Sequence, residues 1–530
     1  MKYFCYFILL FLTSFTPQGF GQNFSKIYNV ETRSPLQGKS HIISTNDKGY
    51  VITIIKPGMI FGTDDSYPFI KIDSVGNIQF VKYFKYTGTA YQGASLPSQT
   101  IDSGFVIPGT FNNPSFRYSL PLLIKINKNG NIQWAKQYGN MKHVAKGVSS
   151  IATLNGYFIS GSIKDTVSQN NFVFILKTNF AGTLLWYKLY SINNKKEDVN
   201  CFIKTYDGGL LLAGSDWQNA ANGNTFLLKT DSLGNLLWAN IYGLTHGSEP
   251  LFAIETIDHS IVITGRVPRN GGSDWDTHLM KFSETGIYKW GKRIGGIKPD
   301  EGYSVHQTKD NGFIICDEPE VSTSVSSTTS QTGLIKTDTM GVVQWAKIIR
   351  HTSKGTFPFG SVQNNDKSLT IAGMDGSYGD TARITLTKTD SLYSSFCQDT
   401  VITLPSSSLT VTNTAVGSMI TLNGELTFSV SDSTLQIPYS DLCSAVSIKE
   451  YNAKDQILLY PNPTSGQFYI ETNTFEKLNV DLYDVNGRHV FSKIVMEKSN
   501  IDVTSLNEGI YTLTIKTAAN LINKKLVIIR

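Results

Sequence analysis

Between residues 199 and 242 the apolar residues come in four short runs, 199–205, 209–214, 225–231 and 236–242, rich in Leu, Ile, Val, Phe and Thr. Turn residues bound each run. "YDGGL" separates the first pair, and "KTDSLGNLLW" holds the turn between the last two. Runs of this length between Gly, Asp and Asn punctuation predict strands rather than helices. Gly in the first phrase supplies the positive φ of a tight hairpin, and Gly near the end of the second fits a bulged turn. The segment predicts four antiparallel strands.

The same pattern recurs along the chain. Aligned on the Lys of "FLLKTDSLGNLLWANIYG" (226–243), the copies carry Lys71, Lys125, Lys177, Lys229, Lys281, Lys336 and Lys388, spaced 54, 52, 52, 52, 55 and 52 residues apart. Five positions on stand Gly76, Gly130, Gly182, Gly234, Gly286 and Gly341, with Tyr393 in the seventh copy. Nine positions on stand Phe80, Trp134, Trp186, Trp238, Trp290 and Trp345, with Cys397 in the seventh. Before each Lys an Asp opens a turn: Asp47, Asp102, Asp207, Asp258, Asp310 and Asp366, while Leu154-Asn155-Gly156 fills the third copy. Seven four-stranded copies suggest a β-propeller or a solenoid. The seventh copy lacks its Trp strand, but "FSKIY" at Phe24 to Tyr28 lines up with "WAKQY" at Trp134 to Tyr138. A borrowed N-terminal strand would complete the last copy and remove an unpaired edge. The expectation for 22–397 is therefore an all-β, seven-bladed β-propeller closed by an N-terminal strand. Residues present in every copy read as packing residues, with the Trp between neighbouring blades and the Lys and Asp at a strand end and a turn.

Both ends of the chain speak to its destination. "MKYFCYFILLFLTSFTPQGFGQ" has a charged Lys2, an apolar stretch and small residues at Gly19 and Gly21, which predicts a secretory signal peptide over 1–21. The apolar stretch is short for a membrane span, and no other segment is a candidate. Export permits disulfides, and a pairing of Cys397 with Cys443 is expected; Cys201 and Cys316, in mid-strand, read as small buried apolar residues. Residues 398–454 are rich in Ser and Thr and almost uncharged up to Glu425, which reads mostly as a spacer that holds a few strands.

Two resemblances follow. The repeat over about 24–397 resembles those of secreted bacterial β-propellers. Four turns fit Thr-x-Asp-x-Gly (Thr45 to Gly49, Thr100 to Gly104, Thr205 to Gly209, Thr308 to Gly312), similar to the Asp-box hairpins of sialidase-type propellers. That motif's aromatic end is missing and Asp boxes are structural, so no sialidase is implied. The last 75 or so residues, with "LLYPNPTSGQFYIE" from Leu458, "VDLYDVNGRHVFS" from Val480, "IDVTSLNEGIYTLTIKT" from Ile501 and "KKLVIIR" at the end, resemble the type A C-terminal sorting domain of type IX secretion substrates. The resemblance implies a small immunoglobulin-like β-sandwich over 455–530. It also implies partners in the type IX machinery and its sorting peptidase, then anchoring on lipopolysaccharide or release, hence a secreted protein at the outer-membrane surface or outside the cell. The sorting motifs supply Pro461, Asn462, Pro463, Gly466, Tyr483, Asp484, Gly487, Gly509, Tyr511 and Lys525.

Chemistry is sparse. The formal net charge is +5, charged residues make up 17 %, and no dense Lys/Arg run is present, which argues against a nucleic-acid partner. No nucleophile elbow, phosphate loop, dinucleotide fingerprint or metal-ligand spacing occurs, so no catalytic residue, cofactor or metal is assigned. Tight turns belong on one face of the repeat and longer connections on the other, where function is expected. Those longer connections carry acids, among them Asp64 and Asp65, Asp317 and Glu318, Asp375 and Asp380, as well as two tryptophans outside the repeated Trp column, Trp217 and Trp275. Both stand in Ser-Asp-Trp, and with Asp216 and Asp274 they form the candidate ligand site: aromatic faces for a sugar ring and carboxylates for its hydroxyls. The alternative for each Trp is a plug of its own loop onto the blade edge. The expected function is a glycan- or protein-binding or adhesion module; the alternatives are a polysaccharide hydrolase or lyase using paired acids, or a passive structural surface protein.

Overall fold

The computed structural model describes residues 23–33, 41–54, 67–85, 91–92, 96–113, 118–139, 143–193, 195–217, 223–269, 274–296, 299–324, 327–350, 356–375, 381–395, 398–416, 418–422, 425–427, 431–434, 439–441, 458–471, 478–484, 487–496, 498–516 and 521–529. The signal segment 1–21, Cys397 and Cys443 lie outside these residues. The described residues are all-β, and the chain divides into two compact modules, Met1–Val446 and Ser447–Arg530.

In the N-terminal module each repeat forms antiparallel strands in sequence order. The fourth repeat is typical: Lys196–Lys204, Leu210–Trp217, Gly223–Thr230 and Leu236–Gly243 pair in turn. Repeats one, four, five, six and seven are separate sheets, and repeats two and three join through a parallel bridge between Val144 and Ser119. The seventh repeat supplies Thr356–Gln363, Leu369–Asp375 and Thr381–Lys388. Its fourth strand is Phe24–Arg33, paired antiparallel with Thr381–Lys388 in the register Phe24↔Lys388 to Tyr28↔Ile384.

The recurring residues do the packing. Trp186 of repeat three lies against the turn glycine of repeat four, Gly234, whose φ is +76°; a Cβ there would stand 2.5 Å from the indole Cη2. The same contact joins Trp134 to Gly182, Trp238 to Gly286, Trp290 to Gly341, Phe80 to Gly130 and Phe24 to Gly76. Four residues after the aromatic, a buried tyrosine reaches the same turn: Tyr28, Tyr138, Tyr190 and Tyr242 donate to the carbonyls of Gly76, Gly182, Gly234 and Gly286. Glycine is required because the left-handed backbone and the ring face leave no room for a side chain. Apolar clusters lie between consecutive repeats, and one joins Phe359, Ala372, Ile384 and Leu386 of the seventh repeat to Ile42, Tyr50, Ile52 and Ile70 of the first. Cys201 and Cys316 are buried members of this core.

The Thr-x-Asp-x-Gly hairpins close on themselves and hold the lysine. At Asp207 the carboxylate accepts from Thr205 Oγ1 at 2.7 Å, from the Gly209 amide at 2.9 Å and from Lys229 Nζ at 2.7 Å. Burial would raise the Asp207 pKa, but the Lys229 and Thr205 hydrogen bonds outweigh it and hold it at about 2. Asp47, Asp102 and Asp310 make the equivalent pairs with Lys71, Lys125 and Lys336.

Residues 398–441 belong to the segment read from the sequence mostly as a spacer that holds a few strands. They form seven short strands, and each adds a fifth strand to a different repeat. Gln398–Ile402 pairs with repeat six, Ser406–Ser408 with five, Thr412–Ala415 with four and Ser418–Leu422 with three. Glu425–Thr427 then pairs with two, Ser431–Thr434 with one, and Tyr439–Asp441 with Phe24–Arg33 of repeat seven. The segment visits the repeats in descending order. Composition hid this because the strands are three to five residues long and pair with edges made elsewhere in the chain. Ser and Thr suit them: such strands need backbone donors and acceptors more than an apolar face, and they cover outer edges that would otherwise stay unpaired.

The C-terminal module has two sheets, Leu458–Tyr460 with Gln467–Glu471 and Lys498–Asp502, and His489–Val495 with Leu478–Tyr483, Gly509–Lys516 and Leu521–Ile528. Alternate residues of both face one core containing Phe468, Ile470, Val480, Leu482, Leu513 and Leu526, the arrangement of a β-sandwich.

Candidate functional site

Trp217 ends the second strand of repeat four, and Trp275 opens the third strand of repeat five. Each ring is half-buried and capped by a cation of its own repeat: Lys196 Nζ lies 5.7 Å from the Trp217 ring centre, and the Arg266 guanidinium 4.8 Å from that of Trp275. No ring contact joins the two tryptophans among the contacts of the described residues. Asp216 alternates inward along its strand and is 0 % exposed, accepting from Asn193 Nδ2 at 2.8 Å. Asp274 stays half-buried and pairs with Arg269 Nη1 at 3.1 Å.

Charge concentrates around Trp275. Arg266 bridges Glu249 at 2.8 Å and Glu301 at 2.9 Å. Burial opposes its charge, but the two carboxylates overcome this and hold its pKa above the usual arginine range. Arg269 pairs with the buried Asp276 at 2.6 Å. The backbone amide of Asp300 donates to the Trp275 carbonyl at 2.8 Å, and the Asp300 carboxylate accepts from the Gly296 amide at 2.9 Å. Burial, with Asp276 and Asp274 close by, pushes Asp300 up to about 7. Asp317 accepts from Thr277 Oγ1; burial and the neighbouring Asp300 push its pKa well up. Two carboxylates kept out of water resist simultaneous ionisation. Arg269 pairs with the third carboxylate of the cluster, Asp276.

Asp317 reads as a loop acid in the sequence, and the structure places it at a strand end, 0 % exposed. The repeat alignment carries the signal for this. In the same column stand Gly109, Gly161, Gly214, Gly265 and Gly373, the last four opposite the bulged first strand of their own repeats. Repeat one has Ile54 in this column, and repeat six has Asp317, opposite Gly302 of the first strand. Asp375 is likewise buried and paired with Arg383. Asp64, Asp65 and Asp380 lie outside the described residues. Among the described residues no group of three or more His, Cys, Asp or Glu converges to hold a metal ion.

The sorting motifs hold the last strand in place. Asn462 Nδ2 donates to the Lys525 carbonyl at 2.6 Å, while its Oδ1 accepts from the Val527 amide at 2.9 Å. Asn462 lies between Pro461 and Pro463, whose fixed φ presents the amide to that strand. Gly466 faces Thr504, where a Cβ would come within 2.7 Å of Cγ2. Asp484 closes its turn on the Gly487 and Arg488 amides, and Tyr483 packs edge-on against His489. Tyr511 donates to the Asn507 carbonyl at 2.8 Å, and Gly509 sits opposite Ile528. Lys525 is exposed on the last strand.

Residues 458–529 match the family described as the secretion system C-terminal sorting domain. The protein is thus a type IX secretion cargo that interacts with that machinery and is delivered to the outer-membrane surface or the extracellular space. No curated protein matches the chain. Among solved structures, the extracellular domain of a one-component system from B. thetaiotaomicron aligns at 10 % identity over 96 % of this chain and 98 % of its own, with a TM-score of 0.17. At that score it bears on neither fold nor function. No helix among the described residues is long and apolar enough to cross a membrane.

Proposed function

We propose that the seven repeats stand as the blades of one closed β-propeller, and that the protein is an exported surface module binding a glycan or a protein through its long-connection face. The apolar cluster between the seventh and first repeats supports closure, as does the borrowed strand Phe24–Arg33. One observation carries the binding role. Recurring residues are spent on packing between repeats, whereas Trp217 and Trp275 fall outside the recurring columns and keep part of each ring open beside fixed charges. In this role the two rings stack on ligand, Asp274 accepts hydroxyl hydrogens, and the buried Asp216 helps fix Trp217. Removal of the sorting module after export, and attachment to lipopolysaccharide or release, belong to the same proposal. So do the signal peptide and the Cys397–Cys443 pairing.

The test is Trp217→Ala combined with Trp275→Ala, with a glycan array and thermal melting measured on the same preparation. Lost binding with an unchanged melt is expected. A lowered melt, or binding that survives, returns both residues to the scaffold. The Asp276–Asp300–Asp317 cluster favours a second reading, a polysaccharide hydrolase or lyase, because a carboxyl near pKa 7 suits a general acid. Polysaccharide degradation that disappears in Asp300→Asn would favour it over simple binding.

A further inference from the structure

On the tight-turn side, at the strand ends opposite Trp217 and Trp275, a pocket of about 270 Å³ opens between repeats two and three. Three rings shape it. Trp134 lies 6.1 Å from Tyr157, and Tyr157 lies 5.9 Å from Phe180. Asp102 and Gln133 supply polar edges, and Lys125 Nζ is already held by Asp102 at 2.9 Å.

One of these rings, Phe180, departs from the repeat. The column containing Phe180 is otherwise Ser74, Lys128, Ser232, Glu284, Thr339 and Ser391, polar in every other copy. Phe180 is nonetheless 46 % exposed, so its own fold gains little from it. Tyr157 is 3 % exposed, yet its hydroxyl has no hydrogen-bond partner among the described residues. Burial, with Asp102 nearby, pushes its pKa up to about 12, so it is a neutral donor.

The chain contains its own control. Tyr50 occupies the same position in repeat one, directly after the hairpin glycine, and donates to Asn364 Oδ1 of the preceding repeat at 3.1 Å. The residue equivalent to Asn364 beside Tyr157 is Thr100, whose hydroxyl donates to Asp102 instead. The Tyr157 hydroxyl has no counterpart of the Asn364 contact, and its residue lines the pocket.

We propose that this pocket is a second binding site, for a single pyranose residue of a glycan. A pyranose presents an apolar C–H face to Phe180 and Trp134, while its hydroxyls meet Tyr157, Asp102 and Gln133. The volume suits one hexose rather than an extended ligand. A quaternary ammonium also suits aromatic walls, but the ammonium of Lys125 stands at the pocket wall and neutralises Asp102. This site is independent of the loop-face site, which the test keeps separate.

The experiment uses saturation-transfer NMR on the full secreted protein, with the methyl glycosides of glucose, galactose, mannose and N-acetylglucosamine, and choline for comparison. At least one glycoside is expected to bind saturably, with a Kd of roughly 1 mM as befits a one-residue contact. Tyr157→Phe should weaken it about tenfold, the loss of one hydrogen bond. Phe180→Ser, at an exposed turn, should abolish it with an unchanged thermal melt. The Trp217→Ala, Trp275→Ala double variant should retain it. No saturable glycoside binding, binding of choline in preference, or binding indifferent to both pocket variants would each overturn the proposal.

Discussion

At the scale of single residues, the third repeat shows what the Asp of the hairpin contributes. Among the described residues Lys177 has no carboxylate partner; it donates to Asn155 Oδ1 at 2.9 Å and Thr153 Oγ1 at 3.1 Å and lies 3.7 Å from the Phe158 ring centre. Burial, with like charge from Lys204, lowers its pKa to about 8. A cation whose folded pKa lies below its unfolded value costs stability while charged, so stability should rise as pH climbs from about 8 towards 10.5. Asn155→Asp restores the pair present at Asp207 and Asp310. It should stabilise the protein by about 0.5–1 kcal/mol at pH 7, discounted for partial exposure, and flatten that rise. Urea denaturation at pH 7 and pH 10 measures both. An unstable variant, or an unaltered pH profile, would mean the amide already satisfies Lys177.

At the scale of elements, the outer strands carry the unexpected energetics. Seven short strands from 398–441 add a backbone ladder to every repeat, and apolar members of the segment reach the cores, Leu409 and Val411 between repeats four and five and Ile402 and Leu404 between five and six. Net hydrogen bonds contribute roughly 0.5–1.5 kcal/mol each, so the segment should be worth several kcal/mol in total. An internal deletion of 398–441 is expected to lower the melting temperature markedly and to promote aggregation through the freed edges. Differential scanning calorimetry with light scattering checks this. A melt within a degree or two of the parent would show that the strands merely lie on the repeats.

At the scale of the whole molecule, the two modules divide the work: one is transported and the other addresses it. The sorting motifs lie within the C-terminal module, where Asn462 fixes the final strand. Removing 455–530 should therefore leave the N-terminal module folded but held in the periplasm. Fractionation with protease shaving of whole cells reads this out, and normal surface delivery of the truncated chain would contradict it.

Short apolar runs, turn glycines and the Lys–Gly–Trp column were legible as all-β repeats because local steric rules and packing between like neighbours write the same residue in the same place each time. The borrowed strand Phe24–Arg33 was legible for that reason: "FSKIY" copies the outer-strand phrase. The sorting module was legible because its turns and alternation are local. Tertiary structure decided the rest. A strand in 398–441 has no partner within its own sequence neighbourhood, so only an edge built hundreds of residues earlier gives it a reason to be a strand. Asp216 and Asp317 look like solvent-facing loop acids until strand pairing turns them inward. Tyr157 resembles Tyr50 in sequence, and only the side chain facing it across the junction between repeats determines whether its hydroxyl is satisfied by the protein or left for a ligand.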